Sequence, residues 1–289
     1  MEFLIGGAQL GSKYSLNQKK KINSNQIEKV LRFSIKNDIN KIDYSLEYGN
    51  HKKVLSLLDK YNFRLYFKVK SDFLLSNKIN IYEFFNKLKD NYKNIKFEAI
   101  SIHNPDFIKL KQINLIQHKC EMLKRKKLFN LVGLSVYNPN TLNLYDLDLF
   151  NLIQIPFNIL DNRFLKKDNC HFLKKIKCVQ ARSVFLQGLL LMSSQKQSKF
   201  FPNHSHLWFK IDQYCKKMNI SKYELCLNFI KQQKLIDQTI IGIDNLNQLK
   251  KLINFNNVKK TYKTKHDFKI NDEKLLLPYN WNLKNERLA

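Results

Sequence analysis

The sequence predicts a single α/β domain of the (β/α)8 class, the TIM barrel, on three observations. Short runs rich in β-branched and aromatic residues alternate with longer amphipathic runs along the chain, which is typical of βα units around a parallel sheet. The short runs number eight, and eight strands close such a barrel. The length of 289 residues also suits this fold, whose usual size is about 250 residues.

The eight predicted strands follow one another at the spacing that βα units need. They cover residues 3–7, 39–43, 64–69, 98–103, 131–135, 152–156, 178–183 and 238–242. Six of the seven glycines fall at or just after the end of a strand, and only Gly133 lies within one. In this fold the carboxyl ends of the strands carry the active site, through loops that often need glycine.

Two of the longer runs show how the intervening helices are predicted. Residues 24–37 have apolar side chains at helical spacing behind Ser24, which is predicted to cap the helix. In residues 220–233, Ser221 and Glu224 stand in the S-x-x-E arrangement of a capping box.

The alternating pattern becomes irregular from about Phe255. No linker rich in glycine, proline or serine interrupts the pattern before that point. We therefore predict a barrel over residues 1–254 and a C-terminal tail over residues 255–289 that packs on the barrel.

Composition indicates a globular protein of the cytoplasm. Apolar residues make up 44% of the chain, which is enough for a sizeable core. No apolar run approaches the roughly 20 residues that span a bilayer, and the first residues do not have the pattern of a signal peptide, so no membrane partner is expected. The five cysteines form no CxxC pair, which favours free thiols and gives no support to a metal site.

The formal net charge of +27 suggests a polyanionic partner at first sight. Only six of the 51 basic residues are arginine, however, whereas sites that bind phosphate or guanine favour the planar fork of arginine. The lysines are also spread along the chain. We therefore expect a basic surface and no specific nucleic-acid partner.

The opening stretch LIGGAQLGSK, residues 4–13, is rich in glycine but does not match a known phosphate-binding pattern. A P-loop needs lysine directly after its second glycine, and here Ser12 precedes Lys13. The three glycines do not have the spacing G-x-G-x-x-G of a dinucleotide-binding turn either. A nucleotide role for this stretch would require another architecture.

Four polar side chains, which we call the tetrad, fall at the ends of three successive strands: Asp43, Tyr48, Lys68 and His103. Each alone has an ordinary structural explanation, such as helix capping or a satisfied core histidine. Together they place an acid, a phenol, an amine and an imidazole at one end of the barrel, which points to acid–base chemistry. Lys70 is an alternative to Lys68, because period-two alternation puts both on one face of the strand.

These residues and their order resemble the aldo/keto reductases, and the resemblance runs from about Phe3 to Leu252. Residues 43–49 match the family's D-x-x-x-x-Y-G, and residues 100–103 match its L-x-H. Phe67-Lys68 matches the strand-borne T-K, with Phe67 in place of the family's threonine. Later strand ends of the family are matched by residues 133–142, 153–163, 181–190 and 240–249. The resemblance implies an NAD(P)H-dependent enzyme that reduces an aldehyde or ketone to an alcohol.

The resemblance implies a role for each member of the tetrad. Tyr48 would donate a proton to the carbonyl oxygen, and Lys68 would lower the pKa of this phenol from its ordinary value of about 10. Asp43 would hold the lysine charged and in place. His103, in its neutral form, would orient the carbonyl group and donate a hydrogen bond to the growing oxyanion.

The resemblance also implies a set of cofactor-binding residues. Gly7 would border the nicotinamide, and Ser135 and Gln154 would hold its carboxamide. Arg182 stands where many relatives have an aromatic residue that stacks on the nicotinamide. The loops after strands seven and eight would hold the pyrophosphate and the adenosine through Ser183, Phe185, Gln187, Gly188, Gly242, Ile243, Asp244 and Gln248.

The sequence leaves the choice between NADPH and NADH open. Lys250 and Lys251 would attract the 2′-phosphate of NADPH, whereas Asp244 would repel it. We expect a modest preference for NADPH, with NADH as the alternative.

The expected substrate is a small carbonyl compound. Residues 153–163 and 181–190 look most like those of bacterial family members found beside genes for surface-polysaccharide synthesis, which suggests a sugar-derived carbonyl. The alternative function is a non-catalytic NADP(H)-binding sensor or partner subunit on the same barrel. The oligomeric state is not predicted.

Overall fold

The computed structural model describes residues 2–12, 16, 22–258 and 268–281, without the side chains of residues 167–169. Eight strands follow one another around a closed barrel, and every strand is parallel to both of its neighbours. The predicted TIM barrel is confirmed. All eight carboxyl ends therefore open on one face, as the prediction for the active site requires.

The strand bounds agree with most of the predicted ones. The strands are β1 (Glu2–Gly6), β2 (Lys41–Ser45), β3 (Arg64–Val69), β4 (Lys96–Ile102), β5 (Leu131–Ser135), β6 (Leu152–Pro156), β7 (Cys178–Arg182) and β8 (Gln238–Gly242). β3, β5, β6 and β8 have the predicted bounds. β1, β4 and β7 each end one residue earlier than predicted, and β1 and β4 also begin earlier.

The helices of the described residues alternate with the strands along the chain. They are α1 (Ala8–Gly11), α2 (Ser24–Ile35), α3 (His51–Lys60), α4 (Ser71–Leu75), α5 (Ile81–Asn91), α6 (Leu110–Arg125), α7 (Lys167–Leu173), α8 (Ser194–Phe200), α9 (Ser205–Met218), α10 (Lys222–Lys231), α11 (Leu246–Asn257) and α12 (Glu273–Leu276). None of the helices described is both long and apolar enough to cross a membrane.

The two capping predictions have different outcomes. The cap of α10 is confirmed, because Ser221 and Glu224 form the predicted capping box. The cap of α2 is Asn23 and not Ser24. The Asn23 side chain accepts from the Gln26 N–H at 2.9 Å, and the Gln26 side chain accepts from the Asn23 N–H at 3.1 Å. Asparagine with glutamine thus gives the same reciprocal bonding as the serine–glutamate pattern.

The second strand begins two residues later than predicted. Asp38 has a left-handed backbone with φ 59°, and the Ile39 N–H donates to the Ser34 carbonyl at 2.9 Å. The start of the predicted strand is therefore used to close the turn after α2, and pairing with β3 begins at Lys41 opposite Arg64. Pairing with β3 continues past Asp43 to Ser45, which lies opposite Lys68.

Residues 268–281 pack against the barrel. The Ile270 N–H donates to the Leu160 carbonyl at 3.1 Å, and Glu273 pairs with Arg163 at 3.3 Å. Phe268 and the three leucines 275–277 are buried. The division of the chain at residue 254 stays a prediction, and α11 continues across it.

Candidate active site

The tetrad lies at the carboxyl ends of three neighbouring strands. Asp43 belongs to β2, Lys68 to β3, and His103 directly follows β4, whereas Tyr48 ends a short 3-10 turn, Leu46–Tyr48, after β2. The Lys68 ammonium lies 2.8 Å from the Asp43 carboxylate, and both side chains are only 5% exposed. Its nitrogen is 5.6 Å from the centre of the Tyr48 ring. The Tyr48 and His103 rings meet edge to face at 5.9 Å. The structure thus brings all four predicted residues together.

The glycines of the opening stretch allow the first loop to pack on the segment that carries Tyr48. The Gly7 N–H donates to the Asp43 carbonyl at 2.7 Å, and a Cβ atom on Gly7 would lie only 2.7 Å from the same oxygen. A Cβ atom on Gly11 would collide with the Tyr48 carbonyl. These glycines therefore serve close backbone packing, and Gly7 does not line the cavity described below.

The environment of Tyr48 raises the pKa of its phenol well above the ordinary value of 10. Burial is the largest cause, and the negative charge of Asp43 adds to it, while the Arg182 guanidinium opposes both. This direction is opposite to the lowering expected from Lys68. The physical reason is that the Lys68 charge is balanced by Asp43 at 2.8 Å, so desolvation of the phenol dominates.

The imidazole of His103 is held in its neutral form. Burial lowers the pKa of His103 to about 2, and the nearby charges of Lys68, Arg182 and Lys70 act in the same direction. A neutral imidazole carries one N–H and can donate one hydrogen bond. This agrees with the expected neutral state.

Lys68 and Lys70, the two candidates for the lysine of the tetrad, differ in their surroundings. Lys68 is buried against Asp43, whereas the Lys70 side chain is 48% exposed and pairs with Glu47 at 2.7 Å. Lys70 lies beyond the last residue of β3, where it precedes α4. Of the two, Lys68 lines the cavity next to Tyr48.

A cavity of about 240 Å³ extends from Asp43, Tyr48 and Lys68 along the loops after β7 and β8. Nine of the predicted cofactor residues line it: Arg182, Ser183, Phe185, Gln187, Gly188, Gly242, Ile243, Asp244 and Gln248. Gly7, Ser135 and Gln154 do not. Gln9 of α1 and Tyr223 of α10 also line the cavity but are not among the predicted residues. No sequence motif in either helix marks them as site residues.

Ser135 and Gln154 lie in the barrel wall and are each 1% exposed. The Ser135 hydroxyl donates to Oε1 of Gln154 at 3.0 Å, and Lys68 donates to the same oxygen at 3.3 Å. Nε2 of Gln154 donates to Asp43 at 3.0 Å. The polar atoms of both side chains therefore form hydrogen bonds inside the barrel, and neither residue lines the cavity.

The loop after β7 holds an unusual backbone against the cavity. Ser183, Leu186 and Gln187 have φ values of 58°, 46° and 52°, a left-handed conformation that non-glycine residues adopt at a cost. Gly188 follows with φ 92°. Several such residues within one short loop are typical of a loop shaped for a ligand.

Three buried polar atoms of the cavity wall have no hydrogen-bond partner among the described residues. They are Nε of Arg182, Oε1 of Gln187 and the hydroxyl of Tyr223. Buried polar groups in native proteins are usually bonded. The chemistry of this wall therefore fits a polar, elongated ligand such as a dinucleotide.

Aromatic and basic groups form the far end of the cavity. The Tyr223 ring stacks on Phe185, with centres 5.1 Å apart, and the Lys251 nitrogen lies 4.4 Å above Tyr223. Lys250 instead lies over Phe33 at 5.8 Å and does not line the cavity. Of the two predicted phosphate-attracting lysines, the structure therefore places only Lys251 at the site.

An aromatic ridge leads outward from the other side of the cavity. The Arg182 guanidinium lies 3.9 Å above the Tyr137 ring. Tyr137 meets Tyr279 at 5.0 Å, and Tyr279 meets Phe107 at 5.5 Å. Phe107 and Tyr279 are 61% and 51% exposed. The ridge combines the loops after β4 and β5 with the C-terminal segment.

No group of three or more His, Cys, Asp or Glu side chains that could hold a metal ion occurs in the part of the chain that the structure describes. His204, one of two histidines in the sequence His-Ser-His at residues 204–206, bonds to Asp272 at 2.8 Å. This pair therefore ties the C-terminal segment to the turn before α9.

Comparisons with known proteins agree with this geometry. The model of the Aldo/keto reductase family matches residues 2–274 of the chain, and no curated protein matches. The holo form of an aldo-keto reductase from Bacillus halodurans superposes with a TM-score of 0.66 at 15% identity, over 90% of this chain and 88% of that one. A glycerol dehydrogenase from Gluconobacter oxydans gives 0.65 at 12% identity, over 90% and 87%. These two likenesses show the fold.

Proposed function

The chain belongs to the aldo/keto reductase family and is an NAD(P)H-dependent oxidoreductase acting on carbonyl groups, and on this premise we propose that Tyr48 is its general acid. The observation that carries the proposal is the convergence of Tyr48, Lys68 and Asp43 on one cavity. When bound, the nicotinamide cofactor supplies the hydride for the carbonyl carbon. The chain itself must then supply a proton to the carbonyl oxygen.

Tyr48 is suited to hold that proton. Because burial raises the pKa of its phenol, the hydroxyl stays protonated in the free enzyme at neutral pH. The Lys68 ammonium, 5.6 Å from the ring centre, stabilises the phenolate that forms as the proton leaves. Asp43 keeps the ammonium in place through the 2.8 Å ion pair.

His103 orients the substrate in this proposal. Its neutral imidazole meets the Tyr48 ring at 5.9 Å and has one N–H to donate. A donor next to the proton source stabilises the negative charge that develops on the carbonyl oxygen. The low pKa of His103, about 2, keeps it from acting as the acid itself.

We propose NADPH as the preferred cofactor, with NADH as the alternative. The residues that would hold it are those of the cavity wall, among them Arg182, Gln187 and Lys251. Lys251 supplies positive charge for a 2′-phosphate. Asp244 opposes it, but Gln248 donates to the Asp244 carboxylate at 3.2 Å and accepts from its N–H at 2.7 Å, which holds this acid on its own loop.

The proposed substrate is a sugar-derived carbonyl, and a role in surface-polysaccharide synthesis is part of the proposal. The aromatic ridge supports this substrate, because exposed aromatic rings beside a polar cavity suit a ligand with both apolar and hydrogen-bonding faces.

A cytoplasmic location is also proposed. The five cysteines are all free thiols, which is typical of proteins in a reducing compartment.

The test compares NADPH oxidation by the wild type and Tyr48→Phe with a panel of small aldehydes and keto sugars. We expect turnover in the wild type and a loss of at least about 10²-fold in the variant. Tyr145→Phe is the matched control, because it removes a buried phenol that bonds elsewhere, to the Pro105 carbonyl at 3.2 Å. Equal rates in wild type and Tyr48→Phe would refute the assignment.

A non-catalytic NADP(H)-binding protein is the second candidate. The observation in its favour is the raised pKa of Tyr48, because a phenol that releases its proton reluctantly is a weak acid catalyst. Fluorescence titration with NADPH, combined with the turnover assay on the carbonyl panel, separates the two functions. Tight cofactor binding without turnover on the whole panel would favour the sensor.

A further inference from the structure

A row of polar side chains crosses the inside of the barrel from the tetrad to the opposite face. The sheet register pairs Ser135 with Gln154, Gln154 with Gln180, Gln180 with Gln238, and Gln238 with Glu2. The row begins at the last residue of β5 and ends at the first residue of β1, because barrel strands are tilted and staggered. Branched aliphatic residues usually fill such interiors, so this polar row needs an explanation.

The three glutamines, which we call the glutamine row, are joined head to tail. Nε2 of Gln154 donates to Oε1 of Gln180 at 3.0 Å, and Nε2 of Gln180 donates to Oε1 of Gln238 at 2.8 Å. Nε2 of Gln238 donates to the Glu2 carboxylate at 2.7 Å. All three side chains are buried, and Gln180 is 0% exposed. Along the row, each amide nitrogen therefore donates to the next group in the direction of Glu2, and the oxygens of Gln180 and Gln238 accept from the glutamine before them.

Charged groups at the two ends fix this direction. At one end, Oε1 of Gln154 accepts from Lys68 and Ser135, while its Nε2 donates to Asp43 and to the next glutamine. A side-chain amide has two N–H donors and two acceptor positions, so Gln154 has used all four. At the other end stands the carboxylate of Glu2. Reversal of one amide would set like groups against each other in a buried site.

From this geometry we propose that Gln180 is a positioning residue for the reaction, acting through Gln154 on the buried ion pair of the tetrad. It holds the Gln154 amide with its oxygen toward Lys68 and its nitrogen toward Asp43. The ammonium is thereby kept 5.6 Å from the centre of the Tyr48 ring, where it stabilises the phenolate. The inference rests on the proposed role of Tyr48.

The glutamine row also changes the expected role of Gln154. The resemblance implies that this residue holds the nicotinamide carboxamide. A residue whose donors and acceptors are all used within the barrel cannot bond a cofactor without losing one of these contacts. Gln154 does not line the cavity either. The geometry therefore favours a role in fixing Lys68 and Asp43.

The first test is Gln180→Met, which keeps the length of the side chain and removes both of its amide bonds. We expect kcat to fall about tenfold, as a loss of proton-transfer assistance, and the KM for NADPH to change less than about twofold. In the alcohol-oxidation direction Tyr48 must act as a phenolate base. The pH of half-maximal oxidation should therefore rise by about 0.5 to 1 unit, because a less firmly held ammonium stabilises the phenolate less.

Gln180→Glu is the conservative variant. A protonated carboxyl group has one acceptor and one donor in nearly the same places as the amide, and burial keeps it protonated at neutral pH. We expect wild-type kcat at neutral pH and a new loss of activity at alkaline pH, where the carboxyl ionises. This variant also carries the test if Gln180→Met does not fold.

Thr239→Val is the matched control. Thr239 is 0% exposed next to Gln238 on β8, and its hydroxyl has no partner among the described residues. Its kcat and pH profile should equal those of the wild type. A Gln180→Met protein with wild-type kcat and pH profile would overturn the inference.

A readout without turnover separates this inference from the proposed function. Hydrogen exchange of the Gln154 side-chain amide, followed by NMR, should be faster in Gln180→Met than in Thr239→Val. A wild type that reduces no carbonyl would refute the proposed function. Hydrogen exchange in Gln180→Met that equals the wild type would refute the proposal that Gln180 positions the Gln154 amide.

Discussion

The two ends of the cavity differ in how their buried polar groups are satisfied. At the tetrad end, Lys68 and Asp43 bond to each other at 2.8 Å and to the barrel wall. Along the loop after β7 and on α10, polar atoms of Arg182, Gln187 and Tyr223 are buried with no hydrogen-bond partner in the described part of the chain. The difference teaches that the fold itself holds the proposed reacting groups, whereas the proposed cofactor-binding wall keeps unused hydrogen-bonding atoms with which a ligand can bond.

The largest expected effect comes from breaking the ion pair at the tetrad end. Lys68→Met leaves Asp43 as an uncompensated buried carboxylate, so the free energy of unfolding should fall by about 3–5 kcal/mol. The value of kcat/KM should fall at least about 10²-fold. Urea unfolding and initial rates measure the two losses.

Lys70→Met is the control for this prediction. Lys70 pairs with Glu47, and the side chains are 48% and 39% exposed, so the loss should stay below about 1 kcal/mol. Similar losses of unfolding free energy and of kcat/KM in Lys68→Met and Lys70→Met would contradict the distinction between the buried and the exposed lysine.

A pH test sharpens the comparison at His103. Its pKa is about 2 in the folded protein and near 6.5 when unfolded. Between these values the unfolded chain binds the extra proton, so wild-type stability falls as the pH drops below about 6.5, by up to about 1.4 kcal/mol per pH unit. His103→Gln removes the titrating imidazole and with it this contribution to the pH dependence of stability. Between pH 7 and pH 5 the wild type should lose about 2 kcal/mol more than the variant in urea unfolding, and parallel losses would contradict the buried neutral imidazole.

At the cofactor end, Lys251→Ala should weaken NADPH binding without affecting the tetrad. A lost phosphate contact of this kind is worth about 1–2 kcal/mol, or roughly 5- to 30-fold in Kd. Lys250→Ala is the matched control, because that neighbouring side chain is also exposed but lies over Phe33 and not at the cavity. Fluorescence titrations with NADPH and NADH measure both. An equal loss for the two cofactors would show that Lys251 does not recognise a 2′-phosphate.

The smallest effect tests the unpartnered hydroxyl of Tyr223. Tyr223→Phe removes a buried polar atom that has no partner in the described residues, so the free energy of unfolding should stay within about 0.5 kcal/mol of wild type or rise. NADPH binding should weaken by less than about tenfold, as for one neutral hydrogen bond. A clear loss of stability without cofactor would show that the hydroxyl is already satisfied.

The barrel was predictable from the sequence because its signals are local and repeated. The strand bounds of β3, β5, β6 and β8 follow from short apolar runs between turn residues. β2 was displaced because Asp38 adopts a left-handed turn, and a turn of this kind leaves little trace in hydrophobic periodicity. The cap of α2 lies at Asn23 and not at the predicted Ser24, because asparagine with Gln26 makes the same reciprocal bonds as the serine–glutamate pattern.

The site was predictable where a motif fixes a residue at a strand end, as for Asp43 and Lys68. Contacts across the barrel were not, because they depend on which positions of distant strands share a register. Gln154 and Gln180 are 26 residues apart in sequence, and only the sheet shows that they are neighbours. Tyr223 was missed for the same reason, since α10 approaches the cavity through tertiary packing alone.

The C-terminal segment has a consequence for the solubility of shortened chains. Phe268, Leu275 and Leu276 are buried, and the polar tethers Arg163–Glu273 and His204–Asp272 hold them on the barrel. A chain ending at residue 258 would keep all eight strands but leave the apolar surface beneath these side chains in contact with water. Exposed apolar patches of this kind promote association between copies, so such a chain should aggregate as its concentration rises, even with its barrel intact.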